Sequence, residues 1–429
     1  MNRDNAALES DNYLDDAHDP ISEAALQSMR PVPRISIQAF CETEGVFKPI
    51  ERAKGDRRMA RAQVKLNMGG LASAIDFYSS SPTPNLVIVE SRLPPNELFA
   101  TLAGLASVCD PSSKVVIIGH HNDVTLYREL IRSGISEYLV APVSIADVIS
   151  VVSQIFVDPS AEPLGRIIAF VGAKGGVGSS TVAHNVAWAS SSLFKAETIL
   201  LDADLAFGTA NMNFDQDPAQ GMVDAIFTTS RFDETMLDRL LAKCSEHLSM
   251  LAAPATLDRT YDLSGDALSP LLEVAQRSTP MIVVDVPHIW NEWTKRTLMT
   301  ADEVVIVAEP ELGSLRNAKN LLDQLGALRP NDKKPHLILN QIGMPKRPEI
   351  SVKEFCAPLG VTAIATIPFD PQLFGNAANN GQMIGEMDAA NPVSTIFKDV
   401  SHILTGRAEV KAAKKSGLSS MLGRLKRSK

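Results

Sequence analysis

Aromatic residues are scarce in this chain of 429 residues, at 5% of the total, so any core has to be built from aliphatic side chains. Cysteine is scarcer still. Cys41, Cys109, Cys244 and Cys356 lie 68, 135 and 112 residues apart, a spacing that gives no CxxC pair and no metal-ligand pattern. Each reads as a small core residue of a reduced, cytoplasmic protein. Long hydrophobic runs are missing too. The most apolar stretch, Gly134 to Val157, is interrupted by Glu137, Asp147 and Gln154, which excludes a membrane-spanning helix. The acidic, polar beginning of the chain reads as neither a signal nor a transit peptide. What is present is ordinary for a globular chain, 45% hydrophobic and 21% charged, and the length predicts two or three domains.

The net charge of −9 is uneven. Residues 1–30 hold seven acids against Arg3 and Arg30, and residues 407–429 hold eight bases against Glu409, which leaves the residues between them at −11. A body this acidic argues against non-specific DNA binding, because neutralising phosphates needs clustered Lys and Arg, and no specific nucleic acid is expected. Residues 1–33 read as a disordered acidic arm.

From residue 34 short β-rich runs alternate with amphipathic helical patterns. The runs at 34–40, 63–66, 85–90, 114–119 and 137–140 are separated by helical periodicity at Leu71–Tyr78, Glu97–Val108, Val124–Ser133 and Ile145–Phe156. Apolar strands between such helices mean a parallel sheet covered on both faces, so residues 34–157 are predicted to form a flavodoxin-like (βα)5 domain. The polar, Pro-containing stretch 158–164 is the predicted linker. A second α/β domain is predicted over 165–405, with strands at 167–171, 198–202, 281–285, 303–308, 336–340 and 363–367. The fold class is therefore α/β, two doubly wound parallel-sheet domains.

The main chemical motif is Ala173-Lys174-Gly175-Gly176-Val177-Gly178-Ser179-Ser180-Thr181, directly after a buried strand and opening a helix. Glycines at 175, 176 and 178 let backbone N–H groups turn inward as an anion nest, and the helix N-terminus adds free donors and its dipole. Ser180 is placed to put its hydroxyl on Mg2+. Against the pattern GxxxxGK[ST], Ala173 replaces the first glycine and Ser179 the lysine that normally meets the β/γ-phosphates. Lys174 stands at the start of the loop.

Lys174-Gly175-Gly176-Val177-Gly178 resembles the deviant phosphate loop of the MinD/ParA family. That resemblance implies an ATP-sandwich homodimer with ATP and Mg2+ as cofactors, in which Lys174 reaches the partner's nucleotide. Leu201-Asp202-Ala203-Asp204 resembles the second family motif, so that Asp204 would orient the attacking water and Asp202 lie beside Mg2+. Read from the residues alone, either acid is equally a loop cap. Asp285-Val286-Pro287 resembles the Walker B segment, with Asp285 on the metal's water shell. Asn340 resembles the adenine-reading residue, and Pro368-Phe369-Asp370 the loop that flanks the base. Glu309 to Arg316 resembles the segment after the fourth strand. The loop residues Gly175, Gly176, Val177, Gly178, Ser179, Ser180 and Thr181 are thereby implied as nucleotide-binding.

Residues 34–157 resemble a response-regulator receiver. Glu90 stands where the phosphorylated Asp would be, Ala141 where the lysine would be, and Phe40-Cys41-Glu42 replaces an acid pair. Glu90 reads either as a permanent phospho-mimic or as a loop cap. A receiver-like domain ahead of a MinD-like ATPase, with Gly178-Ser179-Ser180 in its loop, resembles the CpaE/TadZ proteins of Flp (Tad) pilus assembly. The resemblance implies a cytoplasmic localisation factor at a cell pole or the inner membrane, with weak ATP hydrolysis, that recruits the pilus secretion ATPase and other assembly proteins. The alternatives are a ParA-like partitioning ATPase and a phosphorylation-independent response-regulator-like output protein. In the basic tail, 406–429, Leu418, Met421, Leu422 and Leu425 make an apolar stripe among bases. Residues 416–429 therefore read as an interfacial helix on anionic lipid, a solvated basic end, or a helix that docks on the protein.

Overall fold

The computed structural model describes residues 29, 31–156, 164–228, 232–257 and 259–406. Most of the acidic arm, the linker but for its last residue, and the basic tail beyond Gly406 lie outside the described residues. The chain divides into two compact units, Met1–Ala161 and Glu162–Lys429.

The first unit alternates β1 (Ser36–Cys41), α1 (Glu44–Lys54), β2 (Gln63–Met68), α2 (Gly70–Tyr78), β3 (Leu86–Ser91), α3 (Pro95–Val108), β4 (Lys114–Gly119), α4 (Val124–Arg132), β5 (Glu137–Val140) and α5 (Ile145–Phe156). The sheet order is β2-β1-β3-β4-β5, all parallel, which is the flavodoxin-like order. Along β1 the side chains divide between two cores: Ile37, Ala39 and Cys41 pack on one face and Phe40 on the other. Helix α1 carries no sequence expectation. Gly45 and Pro49 lower its propensity, yet Val46, Ile50 and Ala53 recur at helical spacing and are buried.

The second unit holds β6 (Arg166–Gly172), α6 (Ser179–Phe194), β7 (Thr198–Asp202), α7 (Ala210–Asn213), α8 (Met222–Phe227), α9 (Glu234–Leu240), β8 (Ala242–Lys243), β9 (Leu248–Leu251), α10 (Ser269–Ser278), β10 (Met281–Val286), α11 (Glu292–Thr300), β11 (Glu303–Ala308), α12 (Leu312–Leu328), β12 (His336–Ile342), α13 (Val352–Cys356), β13 (Ala363–Pro368), α14 (Pro371–Asn379), α15 (Ile384–Met387) and α16 (Pro392–Thr405). Its eight strands run β13-β12-β11-β6-β10-β7-β9-β8, parallel except for the β8–β9 pair. The sequence predicts six of them. The other two form a short hairpin at one edge, whose strand Leu248–Leu251 is built from residues that favour helix as readily as strand. Ile167, Ala169 and Val171 face one core layer and Ile168 and Phe170 the other, so the central strand β6 is buried on both sides. Among the described residues no helix is long and apolar enough to cross a membrane.

Candidate functional site

Strand β6 lies between β10 and β11, and the chain leaves its carboxyl end through residues 173–178 into α6. This is the switch point of the sheet, where wound α/β folds open a crevice. Gly176 and Gly178 adopt φ of +84° and +82°. At Gly178 a Cβ would come within 2.5 Å of Asn340 Nδ2, so glycine is required for the close approach as well as for the backbone angle.

The carbonyl groups around this turn are held from outside by side chains of three other elements. His288 Nδ1 lies 2.8 Å from Gly172 O. Asn317, on α12, donates to Ala173 O at 2.9 Å. At the end of β12, Asn340 donates to Val177 O at 2.8 Å and Gln341 to Gly176 O at 3.0 Å. The N–H groups of Lys174 through Gly178 have no partner among the described residues. Carbonyls tied outward leave these donors free, which is the polarity of an anion nest. Ser179 Oγ is buried at the first position of α6 without a partner among the described residues. Of the carbonyl-holding residues the sequence reading has only Asn340. Gln341 could have been suspected as its neighbour, whereas His288 and Asn317 lie more than 100 residues from the loop and carry no local signal.

Asp202 and Asp285 end adjacent parallel strands as register partners and are both buried. Asp202 accepts the N–H groups of Ala210 at 3.0 Å and Asp204 at 3.2 Å. Gly208 is essential here, since a Cβ would fall 2.4 Å from Asp202 Oδ2. Burial, and then the charge of Asp285, push the Asp202 carboxyl up to about 7, against the opposing effect of His184 and the two N–H donors. Asp204 accepts Phe207 N–H at 3.0 Å. Both acids of this motif therefore make loop-capping bonds. Asp285 Oδ2 is buried without a hydrogen bond, and His184 Nε2 lies 3.4 Å from it. The Asn213 amide lies 2.9 Å from His184 Nδ1, so the ring links the β10 acid to α7. Ser180 stands on the first turn of α6, which packs against β10. Among the described residues no three His, Cys, Asp or Glu side chains gather as a self-sufficient metal site. A hard cation held by one or two carboxylates and completed by phosphate oxygens and water fits this donor set, and the free Asp285 oxygen is the atom available to it.

A cleft with about 760 Å³ of open space runs from the start of α6 to α14 and α15. It brings Gly178, Thr181, Asn340, Pro368 and Asp370 together. Asp370 also caps α14, accepting Leu373 N–H at 2.9 Å. Lys174, Ser179, Ser180, Asp202, Asp204 and Asp285 do not line this cleft. Lys174 points to acids of its own chain, with Nζ 2.6 Å from Glu311 Oε1 and 3.6 Å from Glu309 Oε2. The bond to Glu311 raises its pKa above the ordinary lysine value.

In the first unit Glu90 is fully buried at the carboxyl end of β3. Its carboxylate accepts the N–H groups of Glu42 and Thr43 at 2.7 and 2.8 Å and the Thr43 hydroxyl at 2.7 Å, and His120 Nε2 lies at 3.0 Å. Burial raises the Glu90 pKa, but the bonds from Thr43, His120 and Glu42 outweigh it and leave the group below its ordinary value. Glu90 thus caps the start of α1, where Thr43 is the N-cap. With both oxygens committed, small phosphodonors such as acetyl phosphate are expected to leave residues 34–157 unlabelled, and stoichiometric acid-labile label there would refute this. Glu90→Ala, which strips the donors of Thr43 and His120 of their acceptor, is expected to cost about 2–3 kcal/mol in chemical denaturation.

Residues 165–338 match the AAA domain family. The septum site-determining protein MinD of Synechocystis is 27% identical over 256 residues, covering 57% of this chain and 91% of that protein. A crystal structure of the pilus assembly protein CpaE from Caulobacter crescentus is 46% identical, covering 30% of this chain and 98% of that one, with a TM-score of 0.30. A ParA family ATPase from Chlorobium tepidum is 26% identical over 56% of this chain and 98% of its own, with a TM-score of 0.51.

Proposed function

The chain belongs to the CpaE-type MinD/ParA-like ATPases, and from that premise we propose that it is an ATP-binding, dimerising switch that positions components of a pilus assembly machine. One observation carries the reading: around the loop after β6 the carbonyls of Gly172, Ala173, Gly176 and Val177 are tied away, and five successive N–H groups have no partner among the described residues. Such a loop is built for an anion before any anion arrives, and the N-terminus of α6 strengthens its field.

The base is read at Asn340. Because its Nδ2 is committed to Val177 O, its Oδ1 is left as an acceptor. An adenine amino group satisfies that acceptor, whereas the guanine carbonyl at the same position faces it oxygen to oxygen. GTP is therefore expected to bind at least about tenfold more weakly than ATP. Asp285 and the Ser180 hydroxyl are the residues to hold Mg2+, with Asp202 beside them and Asp204 near the attacking water. The ion supplies neutralisation of phosphate charge. Ser179 brings no charge to the site, so hydrolysis is slow.

Phe207, Ile289, Trp290 and Leu312 are exposed just beyond the carboxyl ends of β7, β10 and β11, around the loop. Apolar side chains in that position support a partner covering this face, with a second copy closing over the nucleotide as in the family's sandwich dimer. Lys174 leaves Glu311 to reach that partner. The pilus secretion ATPase and other assembly proteins are the partners this reading implies, at the inner membrane or a cell pole. Residues 416–429 provide a weak lipid contact that two tails on one dimer strengthen. Sedimentation velocity at micromolar protein is the test. ATP with Mg2+ is expected to produce a dimer and GTP is not, and that dimer, unlike one of chains ending at Thr405, is expected to pellet with anionic vesicles. Identical sedimentation with and without ATP would sink the sandwich.

A further inference from the structure

We infer that Arg347 is the positioning residue of the phosphate loop, one guanidinium that braces the loop at its start and at its middle; this rests on reading that loop as a phosphate site. Arg347 Nη1 lies 3.1 Å from Glu309 Oε2. Its Nη2 donates to the Gln341 carbonyl and lies 3.0 Å from Glu349 Oε1. The side chain is largely buried, and its Nε has no partner among the described residues.

Two lines run from this group to the loop. The first, present before Lys174 turns to a partner, passes through Glu309, whose Oε2 faces Lys174 Nζ at 3.6 Å. The second passes through Gln341, which Arg347 grips by the carbonyl and whose side-chain amide holds Gly176 O. Gln341 sits at φ +57°, in the left-handed region that a residue with a side chain enters only when its surroundings hold it there. Glu349 closes the frame by accepting the N–H groups of Gly343 at 2.9 Å and Met344 at 3.1 Å. The segment 341–349 is thus fastened around one cation, and its outputs reach two loop residues two positions apart. A planar fork that serves several acceptors at once is a task for arginine, since a lysine offers one point charge.

The test uses the full chain and measures binding of ATP with Mg2+, ADP and adenosine by calorimetry and ligand-observed NMR. Arg347→Ala is expected to weaken ATP and ADP at least tenfold and to leave adenosine within twofold, because adenosine has no phosphate for the loop's N–H groups and meets the braced segment only at Gly178 and Gln341, on the wall of the cleft. Arg347→Lys is expected to fall between the two. Gln341→Ala is expected to weaken ATP several-fold, and adding it to Arg347→Ala is expected to cost less than twofold more, as for two links of one line. An Arg347→Ala chain that binds ATP like the wild type overturns the inference, as does one that loses adenosine in equal proportion, the mark of a merely structural role. If that variant fails to fold, Gln341→Ala carries the test, and unchanged ATP affinity there overturns it. A wild-type chain that binds neither ATP nor ADP instead overturns the phosphate reading itself.

Discussion

Asp285→Asn is expected to stabilise the nucleotide-free protein against heat and to abolish the Mg2+-dependent part of nucleotide binding. Two carboxylates stand at the ends of neighbouring strands in the dry interior, and one oxygen of Asp285 makes no hydrogen bond among the described residues, with His184 Nε2 3.4 Å away. Asp202 shows the strain of this arrangement, since its carboxyl is pushed from 3.8 up to about 7, by burial first and by Asp285 second. A raised carboxyl means the folded chain keeps its proton where the unfolded chain has lost it. Stability therefore falls as pH rises from about 4 to about 7 and is level above that. Burial is the larger cause of this shift and the Asp285 charge the smaller share. Asparagine removes that share without breaking a side-chain hydrogen bond, so the melting temperature of this unit is expected to rise by about 2–6 °C at pH 8. The gain shrinks towards pH 5, where Asp202 is protonated in either protein. Calorimetric scans at both pH values, with and without Mg2+, read the two effects together. A variant that melts lower at pH 8, or that still gains affinity from Mg2+, would show that this pair is structural only.

Wild-type ATP turnover is expected to stay well below ~1 s⁻¹, the low end of the usual enzyme range, and Ser179→Lys to raise it by about 10- to 100-fold. The reasoning is one of charge. In the proposed function the nest, the helix N-terminus and a cation would hold a triphosphate, but the charge that spreads over the transferring group would lack the cation that a lysine at position 179 would place there. Ser179 Oγ is buried with no partner among the described residues, so Ser179→Ala is the control for the hydroxyl alone and is expected to move turnover far less than Ser179→Lys does. Steady-state phosphate release decides the matter. A wild-type turnover of several per second would falsify the view that the missing lysine limits the chemistry.

The contrast between the loop and its supports explains what a sequence can reveal. Glycines 176 and 178 announce the nest because the constraint is local: their positive backbone angles, and at Gly178 the close approach of Asn340, demand glycine within a few positions, whereas Gly175 has an ordinary angle and open space where a Cβ would be. Asp202, Asp285 and Asn340 were legible for a related reason, as each ends a strand recognisable from its own apolar run. His288, Asn317 and Arg347 act on the loop from more than 100 residues away, and nothing in their neighbourhoods marks a His, an Asn or an Arg as a brace. Helix α1 went unseen for the opposite reason. Its local propensity argues against it, and what starts it is the Glu90 carboxylate, reached only after β3 has paired with β1. The edge hairpin β8–β9 was invisible because a four-residue strand takes its identity from its neighbour, here β7.

The bracing of the phosphate loop also bears on how the protein matures. Its carbonyls are held by residues that arrive after β10, on α12 and at the end of β12, so the nest is finished only when most of the second sheet has assembled. Contacts this distant in sequence form late and slowly. A partly folded chain therefore has no competent loop, and on the function proposed above nucleotide would bind the completed unit alone. A ligand with that preference acts as a thermodynamic ratchet. At a free concentration 100 times its dissociation constant it adds ~2.7 kcal/mol to the folded state and nothing to the intermediates. The cell's nucleotide pool would then govern how long newly made copies survive, independently of any hydrolysis they perform.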